Sequence, residues 1–566
     1  MLLLIHINMR RTTILLAGFL LMGSIMAQTN GVDQNLQYMK DNTTTVNTKK
    51  TNYRQTFSSG EENPFILSFS TIETKNGDEK IQTVNAMDLS PYLIKFEPDK
   101  ELVEITAGVN GGKDLVKIVE NGEIQNYDDG LLFYASGIEE ARKLTDNLKK
   151  IVEYASEHTS EMMNVSDQKE TILNNLSQGI KEVKVNDDVF IQSFSFDNQN
   201  NYIITFTLSE ASGDEVEKYT LNAIDINPHK TEFTTSGNEV LITILTKGKD
   251  DLIAYNENGE TKNYTNEIEL HAASIEEARL LEAQLKKLTN LSEKEEAVDY
   301  SQYSFDRSAS SLVDNIGKVV INEDAWEQKF EINPNDSLLI TYSILSVSDG
   351  ENKEFTVNAA DLGKIPATFR ADGNALFIDL KASGDKELIR LKEGPEDISY
   401  VSEFEVRAPD IETAREIAGA FTQFNQLAME KMKQSTAFAD PAEAENYLLN
   451  KVDKVVIETD TYLQSMEKNG DECLMRYNIT DVSDDTRYNY EFNLKDLDIY
   501  KIQFNTKGSE AFVNIEVKGG NDLVKSYENG EVDKYTDGFQ IKAKDVEQAR
   551  KIETALRMVT EKCNGN

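Results

Sequence analysis

A short pattern, Asn-x-x-Asp-Leu/Ile, starts at Asn85, Asn222, Asn358 and Asn493 in the stretches VNAMDLS, LNAIDIN, VNAADLG and FNLKDLD, at steps of 137, 136 and 135 residues. Other landmarks keep the same order and period. A glutamine stands at Gln55, Gln192, Gln328 and Gln464, each nine residues after a valine (Val46, Val183, Val319, Val455), and a tyrosine at Tyr127, Tyr264, Tyr400 and Tyr535. The sequences EEAR, EEAR, ETAR and EQAR carry Ala141, Ala278, Ala414 and Ala549. One order of landmarks at one period is an internal fourfold duplication. A period of about 20–50 residues would mean a solenoid whose units cannot fold alone. A repeat of this length has domain size and can hold its own core. The expected organisation is beads on a string, with repeats at 33–156, 167–293, 309–428 and 441–566 joined by polar connectors such as SEKEEAVDYSQYSFD.

Within a repeat the hydrophobic period changes in a fixed order. A short amphipathic helix, such as ETILNNLSQGI, is followed by strands: in AFVNIEVKG, Val513, Ile515 and Val517 alternate with smaller or polar residues, the period of a half-buried strand. Asn121-Gly122, Asn258-Gly259 and Asn529-Gly530 accept the positive φ of type I′ hairpin turns. The repeat closes with a helix whose apolar positions, Ile138, Ala141, Leu144, Leu148 and Ile151 in the first copy and Val546, Ala549, Ile552, Leu556 and Val559 in the fourth, keep the same steps throughout and define one buried stripe. Gly137, Ser274, Asp410 and Asp545 stand at its N-cap, with Glu140, Glu277 and Gln548 placed to complete a capping box. The expected fold class is α+β and mainly antiparallel β. Each repeat should be a small bent sheet or barrel of about six to seven strands, antiparallel because the connections are short, closed by its C-terminal amphipathic helix.

The first residues read as a targeting signal. MRRTTILLAGFLLMGSIMAQ has a basic start at Arg10 and Arg11, an apolar run from Ile14 to Met22 and small residues ending at Ala27, the layout of a cleaved signal peptide at 1–27. The run is shorter than the roughly 20 residues of a spanning helix, and no transmembrane segment is expected in the mature chain. The expectation is therefore an exported protein, periplasmic or extracellular. With 99 acidic against 59 basic residues and a net charge of −40, the surface repels nucleic acid phosphates and anionic lipid head groups, and neither is expected as a partner. In an oxidising compartment Cys473 and Cys563 either form one disulfide or stay as two thiols.

A run of antiparallel strands ending in one capped amphipathic helix, carried by EEARKLTDNLKKIV and its partners, resembles the pleckstrin-homology-like fold over Tyr53 to Ala155 and the equivalent segments. The phosphoinositide binding for which that fold is known depends on basic residues in the loop between the first two strands. The corresponding loops here, SSGEENP, DNQNN, NPNDS and EKNGDE, hold one lysine, Lys468, among several acids. The resemblance therefore implies a fold without that function.

No catalytic, cofactor or metal residues are assigned. None of the four histidines, His6, His158, His229 and His271, recurs in register, which removes a repeated histidine-based zinc or acid–base site. A nucleophile elbow and phosphate-cradling glycine loops are missing too. The recurrent Asp88, Asp225, Asp361 and Asp496 lack the spacing of a calcium loop. With their asparagines they read as a corner of the fold, closing turns on their own backbone, and the Tyr127 series reads as cross-strand packing. The expected function is non-enzymatic: binding or scaffolding of an unknown protein or glycan partner through repeated acidic β-rich domains. Two alternatives stay open, a hydrolase relying on carboxylates or a divalent cation, and a calcium-dependent adhesin.

Overall fold

The computed structural model describes residues 30–159, 165–295, 297–394, 397–434, 437–470 and 472–565; the expected signal peptide lies outside them. In the first repeat the helix Asn30–Asn42 leads into β1 (Val46–Asn47), β2 (Asn52–Ser59), β3 (Ile66–Glu73) and β4 (Glu79–Asn85). A single 3-10 turn, Ala86–Asp88, then precedes β5 (Leu89–Asp99) and β6 (Leu102–Val109), followed by β7 (Val116–Glu120), β8 (Glu123–Asp128), β9 (Gly130–Ala135) and the helix Ile138–Glu157. The strands form a six-stranded sheet, β1-β2-β3-β4-β7-β8, and a three-stranded sheet, β5-β6-β9; the same two orders recur in all four repeats.

The alternation behind these strands is direct. In β6, Val103, Ile105, Ala107 and Val109 are buried and their neighbours half-buried, and the three Asn-Gly turns carry positive φ at both residues. The strand count differs from expectation: nine strands in two sheets replace six or seven in one bent sheet, and among the described residues no closed barrel forms. The 3-10 turn is the reason. It carries the chain out of the first sheet, the β5–β6 hairpin starts a second, and β7 returns to pair with β4, Lys80 opposite Glu120.

The closing helix packs on β5, the 3-10 turn and the opening helix. Its buried residues follow the expected stripe with one exception: Ile138 is 48% exposed, whereas Ile275 and Val546 at the same position are 8% and 7% exposed. The caps also form. Ser274 Oγ accepts from the Glu277 amide and Asp545 from that of Gln548, while Glu140, Glu277 and Gln548 reach back to the amides of Ser136, Ala273 and Lys544.

Contacts divide the chain into two compact units: the first two repeats up to Ala297 without Glu260–Tyr264, and Glu260–Tyr264 with Val298 onward. In the first unit one continuous apolar cluster runs from Val32 through Phe133 and Phe206 to Leu288. Buried apolar contact therefore continues from the first repeat into the second. In the second unit, the fourth repeat carries a disulfide, Cys473–Cys563, with Cα atoms 5.9 Å apart. It ties the end of the last helix to the strand Leu474–Asp481.

Candidate functional site

Clefts lie between the two sheets of the second and third repeats, about 810 and 530 Å³ in volume, at equivalent places in the fold. Gln192 lines the first of these, and in the second the lining residues Trp326 and Arg407 flank and pair with the recurrent Gln328. The Gln55 amide donates to the carbonyls of Thr44 (3.2 Å) and Tyr134 (2.9 Å) and accepts from the Tyr134 amide (2.7 Å). Gln192 repeats this arrangement on Lys181 and His271, Gln328 on Gly317 and Arg407, and Gln464 on Asp453 and Lys542. A buried primary amide here stands in for a stretch of backbone, joining a strand of the large sheet to the last strand of the small one and satisfying groups that burial would otherwise strand.

The side chain of the clamped residue then meets an aromatic ring two positions before the glutamine, and this pair changes from repeat to repeat. Tyr53 packs on Tyr134 (ring centroids 4.6 Å apart) and Phe190 stacks on His271 (3.5 Å). The Arg407 guanidinium lies 4.1 Å from the Trp326 ring centroid and 4.6 Å from that of Phe377, and Lys542 Nζ lies 5.2 Å from the Tyr462 ring. Burial pulls the His271 imidazole below its usual pKa, so it is neutral against Phe190 at neutral pH. Three carboxylates of the third repeat's cleft are engaged by bases: Asp379 and Glu405 by Arg370, and Glu403 by Lys381 at 2.7 Å. Among the described residues no three of His, Cys, Asp and Glu gather as a metal site requires.

The Asn-x-x-Asp residues lie elsewhere, those of the first and third repeats at seams with the repeat that follows. All four asparagines cap the 3-10 or short helical turn that follows, accepting from the amides of Met87, Ile224, Ala360 and Lys495, as the sequence implies. The aspartates of the first and third repeats bond to arginine side chains of the following repeat. In the first unit, Asp88 takes both its bonds from Arg279 Nη2, at 2.8 and 2.7 Å, and the Asn85 amide donates to Glu276 at 3.0 Å. In the second, Arg550 donates to Asp361 at 2.6 Å and Asn358 to Glu547 at 3.2 Å. The motif of one repeat therefore receives the first and last residues of EEAR or EQAR of the next. Arg279 and Arg550 also lie over Phe233 and Phe504. Burial pushes the carboxyls of Asp88, Asp361, Glu276 and Glu547 up from their ordinary pKa, and the adjacent guanidiniums reverse part of that rise.

Asn222 and Asp225 are buried, 3% and 4% exposed, whereas Asn493 and Asp496 are half-exposed. Of the tyrosines, Tyr127 and Tyr400 are 7% and 5% exposed and Tyr535 is 57% exposed. Burial pushes Tyr127, Tyr264 and Tyr400 each up to about 12. The arginines at the ends of EEAR and EQAR, of which Arg279 and Arg550 hold the seams, are residues that sequence reasoning passed over. Their signal was present, since an invariant acid and an invariant base recur in register at Asp88 and Arg142 and at the equivalent positions. No protein-family model matches the chain, and no curated protein matches it.

Proposed function

We propose that this is an exported, non-enzymatic tandem-repeat protein that binds or scaffolds partners, protein or glycan, through the clefts between its paired sheets. One observation carries the reading: the glutamine frame is the same four times over, while the pair of side chains it presents differs each time, Tyr–Tyr, Phe–His, Trp–Arg and Tyr–Lys. A repeated reaction centre would need the same reacting groups in each copy, whereas a constant frame with a varied lining suits related recognition sites of different specificity. Linked sites of this kind gain avidity when they engage together. The strand run ended by a capped helix supports a distant pleckstrin-homology-like ancestry for each repeat, and the leader-like first residues support export.

Trp326 is the only tryptophan, so its emission reports on the third cleft alone. The full chain is screened against glycan and peptide arrays, and each hit is titrated while Trp326 emission is followed and the ligand is assayed for turnover. Saturable emission change with the ligand recovered intact is expected. Chemical conversion of the ligand favours the hydrolase, and a melting temperature that rises with calcium favours the adhesin.

A further inference from the structure

We infer that copies of this chain associate head to tail, the fourth repeat of one copy docking on the first repeat of the next through the same contact that joins repeats inside each unit. That contact has two complementary halves. The acceptor half is the Asn-x-x-Asp turn with its neighbouring leucine and tyrosine; the donor half is the start of the closing helix, with its leading apolar residue, glutamate and arginine.

Where the contact is made, both halves are covered. Leu115 and Tyr127 of the first repeat are each 7% exposed, and Leu388 and Tyr400 of the third are 6% and 5% exposed. Opposite them, the side chains of Arg279 and Arg550 are 13% and 22% exposed. Hydrogen bonds outside the ion pair repeat as well, Thr235 Oγ1 to the Asp114 carbonyl in one unit and Thr506 Oγ1 to that of Glu387 in the other.

One copy of each half is bare. In the fourth repeat Leu523 is 48% and Tyr535 57% exposed, and Asp496 has no ion-pair partner among the described residues. In the first repeat Ile138 is 48% exposed, and Arg142, with 52% of its side chain exposed, meets only Glu139 on its own helix. A carboxylate with no ion-pair partner among the described residues, beside a bare leucine and tyrosine, matches a guanidinium held only by its own helix beside a bare isoleucine, and the chain already joins these surfaces twice. Because the two halves differ, the association is heterologous and gives rings or open filaments.

The test is sedimentation of the full chain over a concentration series at about 0.15 M salt, where the mutual repulsion of acidic chains is screened beyond roughly 8 Å. Mass is expected to grow with concentration. Asp496→Arg and Arg142→Asp, at a half-exposed and an exposed side chain, should each leave the melting temperature unchanged and weaken self-association roughly 30-fold or more, as loss of a desolvated charge pair does. An equimolar mixture of the two variants should associate again, because each then offers the charge that the other needs. A chain that stays monomeric at its highest soluble concentration, or association that neither reversal weakens, overturns the inference.

Discussion

The glutamine amide that frames each cleft makes three bonds to backbone, and in the third repeat its oxygen also accepts from the buried Tyr342 hydroxyl at 2.6 Å. Gln328→Leu keeps the volume and strands the amide and carbonyl of Arg407, so a loss of about 2–4 kcal/mol is expected, read as a lower denaturation midpoint. Gln199→Ala, at an exposed loop position, should change nothing measurable. The glutamine was visible in the sequence as a recurrence, but its role was not, because its backbone partner lies 79 residues away. At the seam, the raised carboxyl of Glu547 holds its proton at a pH where the unfolded chain has already lost it. Its contribution to stability is fully present below the ordinary glutamate value of about 4.3 and is lost as pH rises through the higher folded value. Glu547→Gln, which cannot ionise, should therefore gain stability relative to the parent chain in the window that opens as pH rises above the ordinary glutamate value of about 4.3. Urea melts across that window check the sign; the opposite trend would mean that Arg550 outweighs burial.

The end of the closing helix meets the start of the third strand of the large sheet in different ways. Phe65 stacks on Tyr154 in the first repeat, and the Tyr202 hydroxyl donates to Glu295 in the second. In the fourth the contact is the Cys473–Cys563 disulfide. The third repeat has Leu338 and Ala428 at the cysteine positions, so Cys473→Leu with Cys563→Ala tests the bond with side chains that the fold already accepts there. The bridge spans a sequence separation of 90, and opening a loop of that size costs about 4–5 kcal/mol in the chain-entropy account. The variant should fold and melt at a lower denaturant concentration, while the first unit, which lacks the bridge, should be unaffected. How much of these elements could be read beforehand depended on the range of the forces that set them. The closing helices follow a local period and were legible except at Ile138, whose stripe position lacks the cover that Ile275 has. The two-sheet division rests on the non-local pairing of β4 with β7, and β1, with two residues, is too short to show a period. The seam joins residues 191 and 189 apart, a full repeat more than separates the same two motifs within one copy.

Stability in a tandem array is a sum of what each repeat supplies and what each interface adds, and the balance decides whether a repeat is a domain or half of one. The first unit argues for the second view. Its apolar cluster is continuous across both repeats, and Asn186 of the second repeat bonds to both the amide and the carbonyl of Ile124, each at 3.0 Å. Separating the repeats would uncover Leu115 and Tyr127 and leave Asp88, 7% exposed in the intact unit, without its guanidinium. The lone carboxylate would regain water, so the loss falls mainly on the apolar surface, at about 25 cal/mol per Å², and on the ion pair. Fragment 30–297, carrying both repeats, should therefore unfold in a single transition by circular dichroism. Fragment 30–159, carrying the first alone, should melt at a distinctly lower temperature, with its closing-helix amides exchanging faster against deuterium. Equal melting temperatures would mean that each repeat supplies its own stability and that the shared interior adds nothing. A fragment 30–159 with no cooperative transition would place the folding unit at the pair. The same interface term would then govern any contact that copies of the chain make through their bare faces, because that contact would bury the same residue positions.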